Sequence, residues 1–145
     1  MLSTSFFMAG AIFSFLFIWF QSSSAVYFLP QGLVENMDIQ ESGTVQWNHP
    51  IMSGFIMTNN LYVALQAFVY GISAGVGTAY ILLSNGLLLG ALSALAIQQG
   101  QALVYWSLIL PHGIIELAAI FLSGAAGLKI GYALIRPQPY RRKRM

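Results

Sequence analysis

The stretch FFMAGAIFSFLFIWF, residues 6–20, lies inside an uncharged segment that runs from Thr4 to Phe28. With its flanks it is long enough to cross a hydrocarbon core of roughly 30 Å as an α-helix. Small residues at Ser22, Ser23, Ser24 and Ala25 would also suit a cleaved signal peptide, but no Lys or Arg precedes the apolar run. The rest of the chain repeats the pattern. Hydrophobic residues make up 57% of the 145 and charged residues only 7%, far below the quarter typical of a soluble domain. In water so apolar a chain would expose large patches. In lipid it is at home, and the backbone must then be helical because hydrocarbon offers no partner to an open N–H or C=O.

Further segments follow from where the polarity changes. Residues 29–50 are rich in Pro, Gly, Glu, Asn, Asp, Gln and Ser and read as an outer loop, with Trp47 placed as an interfacial aromatic. A second span is expected over 57–83, closed by Asn85-Gly86 as a turn. The third region, 87–110, is interrupted by Gln98-Gln99-Gly100-Gln101, which implies a broken or re-entrant helix or a bent long one. Pro111 suits the first turn of a fourth span over 112–135. The expectation is an all-α, polytopic transmembrane bundle of about four spans in a single domain, residues 1–145.

Charge order matters more than the net +2. Glu35, Asp38 and Glu41 share the outer loop, whereas Arg136, Arg141, Arg142, Lys143 and Arg144 crowd a tail at 136–145. Directly after an apolar helix such a tail reads as a cytoplasmic orientation signal at the cell membrane rather than as a nucleic-acid contact. Four crossings put the N-terminus on the same side. A re-entrant third region would move it outside. No cysteine is present, so neither disulfides nor thiolate metal sites are available.

Gly71 with Gly75, Gly86 with Gly90, and Gly127 with Gly131 are each four apart on one helix face. Such pairs let two backbones approach closely in lipid, within the chain or between two copies. The candidate polar site comprises Asn59, Asn60, Asn85, His112 and Glu116, with Gln66, Gln98, Gln99, Gln101 and Thr78 behind them. His112 and Glu116 fall one helical turn apart. They can clamp neighbouring helices, relay a proton or contribute two ligands to a divalent metal ion, which would need further ligands from elsewhere. Asn59 and Asn60 can instead cap the second span. No phosphate loop, two-histidine zinc helix or nucleophile elbow occurs, so no enzymatic function is expected.

Taken in order, Asn59-Asn60, Gly71-x-x-x-Gly75-x-Gly77-Thr78, Asn85-Gly86-x-x-x-Gly90 and Leu110-Pro111-His112-Gly113-x-x-Glu116 followed by Ser123-Gly124 resemble the stage II sporulation protein M family. The likeness runs from about Asn59 to Ile135. It implies a multi-pass bacterial or archaeal envelope protein, since the family's namesake serves endospore engulfment as a scaffold beside two cell-wall-cleaving partners. It implies sporulation itself less directly, because most relatives occur in organisms that never sporulate. Members commonly carry one more hydrophobic segment past the position of Met145, so this chain is short or trimmed. The flank so exposed suggests a homodimer. Two function classes therefore stand side by side: a non-enzymatic envelope scaffold, and a permease or ion-handling protein using His112 and Glu116.

Overall fold

The computed structural model describes residues 1–29, 38–39, 45–46 and 49–136. Four α-helices carry the fold: α1 (Leu2–Phe20), α2 (His49–Val69), α3 (Val76–Gln98) and α4 (Ala102–Ile135). Three stretches, Leu2–Phe20, Val76–Gln98 and Gly113–Ile135, are long and apolar enough to cross a membrane, and Ala102–Pro111 adds a shorter apolar piece. A 3-10 turn over Ser22–Tyr27 follows α1. Between α1 and α2, Asp38–Ile39 pairs antiparallel with Val45–Gln46. Trp47 and the tail beyond Arg136 lie outside the described residues.

Several expected boundaries move. The first helix ends at Phe20 rather than continuing to residue 28. The second span does not run to residue 83, because α2 stops at Val69 and the chain turns through Tyr70–Ile72 and on to Gly75. Ala74 and Gly75 take φ of 56° and 83° there, and the left-handed region stops a helix. Ser73 holds the corner: its Oγ donates to Tyr70 O at 2.6 Å and accepts from Gly77 N–H at 2.8 Å. Asn85-Gly86 is not a turn but lies inside α3. Likewise Asn59 and Asn60 do not cap α2; the helix begins ten residues upstream of Asn59, at His49.

The interruption at Gln98–Gln101 is a tight turn between two helices, with Gly100 at φ 69°. The third region is therefore broken, as its sequence implies. Pro111 sits within α4 rather than in its first turn. The missing N–H of Pro111 frees one carbonyl, a loss that a long helix tolerates in a membrane protein when neighbouring groups satisfy it.

The helices alternate in direction. Residues 7, 11 and 18 of α1 meet residues 86, 90 and 98 of α3, so these two run parallel. Asn60 and Ala67 of α2 meet Glu116 and Gly127 of α4, so these two are oriented alike as well. Consecutive helices are antiparallel: Thr78 Oγ1 of α3 donates to Ala67 O of α2 at 2.8 Å, and Leu92 and Ala96 of α3 cluster with Ile109 and Tyr105 of α4. The most extensive helix–helix contact is α1 with α3, and the next is α2 with α4.

Both parallel contacts are made backbone to backbone. A Cβ at Gly86 would collide with Phe7 O, and one at Gly90 with Ala11 O and Ser14 Oγ; one at Gly10 would strike Leu83 O. In the other pair Gly71 faces Gly127, and Gly131 faces Gly75. All three small-residue pairs are thus spent within one chain. Between the two seams, Leu82, Val63, Ala64 and Ile120 form a buried cluster, and Phe7 meets Phe121 edge to face at 5.2 Å.

Replacing Gly86 or Gly127 by Ala forces backbone apart and should lower stability by about 1–3 kcal/mol. Gly54, where a Cβ meets nothing within 4 Å, is the control. Thermal unfolding in detergent should show a clear fall in Tm for the first two and little change for Gly54→Ala.

Candidate functional site

Asn59 and Asn60 are neighbours in α2, so their side chains leave the helix about 100° apart. That angle sends them to different partners. Asn59 Nδ2 donates to Asn85 Oδ1 on α3 at 3.3 Å, and Asn60 Nδ2 donates to Glu116 Oε2 on α4 at 2.6 Å. Four polar side chains from three helices therefore lie at one level of the bundle. At 2.6 Å the bond to Glu116 is the shorter of the two. Glu116 is half-buried and Asn85 buried.

Beside this layer lies a cavity of about 40 Å³. Asn59, Asn60 and Asn85 form its polar wall, and Phe7, Leu88, Leu92, Tyr105, Ile109 and Leu117 form most of the rest. A water needs roughly 10–15 Å³ measured this way and two or more polar partners, so the space suits one or a few waters. It does not admit an organic solute.

His112 lies in α4 one turn before Glu116, and its side chain falls outside the described residues. The structure therefore joins Glu116 to Asn60, and Asn59 to Asn85. Among the described residues no group of three His, Cys, Asp or Glu side chains comes together, so the pair His112 and Glu116 gains no further ligand of those types there. Gln98 belongs elsewhere: its Nε2 donates to Ile18 O and Trp19 O at 3.2 and 3.3 Å, satisfying carbonyls at the open end of α1.

Sequence reasoning did not single out Tyr105, which is buried against the cavity. Its signal was available. Residues 105, 109, 113 and 116 repeat at helical spacing along one face of α4, and that face meets α3 and the polar layer. Ser14 was also passed over; it is fully buried where α1 meets Gly90, with its Oγ bonded to Gly10 O at 3.1 Å.

Comparison with known families extends the likeness to nearly the whole chain. The model described as Stage II sporulation protein M matches residues 3–145. The chain belongs to this family. It is thus a membrane protein of the stage II sporulation protein M family, and the match covers the first helix and the loop after it as well as the Asn59 to Ile135 portion. An uncharacterized protein of Methanocaldococcus jannaschii is 36% identical over 89 residues, which cover 61% of this chain and 48% of that relative. The match thus spans about half the length of the curated relative. No solved structure matches.

Because Asn60 and Glu116 are each other's partner, their substitutions should not add. Asn60→Leu and Glu116→Leu singly should each destabilise, whereas the double variant should recover a coupling of about 1–2 kcal/mol. A double-mutant cycle by unfolding in detergent measures this directly.

Proposed function

We propose that this chain is a non-enzymatic scaffold of the cell membrane, with its Arg-rich end in the cytoplasm, whose helices and outer loop hold envelope partners in place. Cell-wall-remodelling proteins are the partner class that family membership suggests, and endospore engulfment is one setting for such a role. The observation that carries this reading is the pair of glycine seams. Backbones in direct contact have one close-packed arrangement, which suits a rigid body that holds other proteins more than one whose helices must slide. Lipid-facing side chains such as Ile115, Leu122 and Leu134 on α4 offer an apolar surface along which partner helices can lie.

A second reading rests on the Asn60–Glu116 bond beside a cavity. An intramembrane carboxylate with a named partner is a recurrent feature of permeases and ion-handling proteins.

One set of experiments separates the two. A photo-crosslinking residue at Ile115, Leu122 or Leu134, used in the native host, should yield discrete adducts with envelope proteins. Purified protein in liposomes should carry no flux of cations or protons. Flux that disappears in Glu116→Gln, together with an absence of adducts at all three positions, overturns the scaffold and establishes the second reading.

A further inference from the structure

A groove of about 250 Å³ opens between α2 and α3, lined by Asn59, Val63, Gln66, Ile81, Ser84 and Asn85 together with Phe28 and Leu88. Asn59, Asn85 and Leu88 line the smaller cavity as well, so the amide pair borders both spaces. The polar residues form a line. Ser84 and Asn85 lie near the middle of α3, whereas Gln66 lies one turn before the end of α2, next to the Tyr70–Gly75 corner. That corner packs against Gly127 and Gly131 and so lies at the same end of the bundle as Arg136.

Gln66 and Ser84 are both partly exposed, and neither side chain has a hydrogen-bond partner among the described residues. Hydrocarbon cannot satisfy them, so polar groups at this depth must face protein or water. Its described polar lining is neutral, three amides and one hydroxyl, and such groups hydrogen-bond water well. A water's share of liquid volume is about 30 Å³, and the groove has room for several.

We propose that this groove is a water-filled inlet, reaching the Asn59–Asn85 pair from the membrane face that carries the Tyr70–Gly75 corner. Water entering there bonds Gln66 and Ser84 and wets one side of the polar layer. The inlet goes beyond the scaffold reading and does not rest on it, since unreactive thiols in the test below would sink the inlet and leave envelope partners untouched.

The chain has no cysteine, so single-cysteine variants report without background. A thiol must be hydrated to react with a charged, membrane-impermeant methanethiosulfonate, because the thiolate is the nucleophile. In sealed vesicles Gln66→Cys and Ser84→Cys should be modified at least tenfold faster than Leu65→Cys, whose parent side chain is 61% exposed on the outer surface of α2. The fast reaction should occur only with reagent on the face of Arg136. Matching Tm values confirm that the variants fold alike. Equally slow reaction at all three positions means lipid or protein fills the groove and overturns the proposal. So does fast reaction only from the opposite face, and so does ready oxidation of Gln66→Cys to a disulfide-linked dimer without modification, which means a second copy occupies the groove.

Discussion

In hydrocarbon there is no hydrophobic force to press one helix onto another, because lipid tails are as apolar as leucine. What remains is contact, and the closest contact available is backbone against backbone. Here it occurs twice, between α1 and α3 through Gly10, Gly86 and Gly90, and between α4 and the end of α2 with the corner after it, where Gly127 meets Ala67 and Gly71 and Gly131 meets Gly75. Each seam joins helices that are not neighbours in the chain. The two tight turns, at Tyr70–Gly75 and Gln99–Gln101, supply the antiparallel contacts between consecutive helices. Together these lock all four helices into one body.

That body positions the polar layer. Asn60 supplies a donor to Glu116 at 2.6 Å, and that donor is in place because the α2–α4 contact sets the register of Asn60 against Glu116. Asn59 meets Asn85 by the antiparallel register of α2 and α3, the same register that brings Thr78 to Ala67. A slip of one residue in either contact would leave an amide or a carboxylate unsatisfied at mid-bundle. Packing and polar pairing therefore enforce one alignment between them.

Misreadings of the sequence have a common cause. Asn85-Gly86 reads as a turn by rules drawn from proteins in water, where a turn can hydrogen-bond solvent. Inside lipid the same residues do two other jobs, the glycine admitting Phe7 O and the asparagine answering Asn59. Asn59-Asn60 as a cap and Pro111 as a helix start fail similarly, since long membrane helices absorb residues that would end helices elsewhere. The real corner was visible as the Gly71, Ser73, Gly75 and Gly77 cluster, but it carried a packing signal and a turn signal at once.

The amino-acid order by itself determined that the chain is a helical membrane protein, that its glycine pairs serve close approach, and which polar residues stand in apolar segments. Those conclusions follow from composition and spacing, which solvation by lipid converts directly into helix. Which glycine meets which backbone, and which amide meets the carboxylate, only the tertiary structure decided. Pairing between helices distant in the chain depends on register and rotation across a whole interface, and no local spacing encodes that.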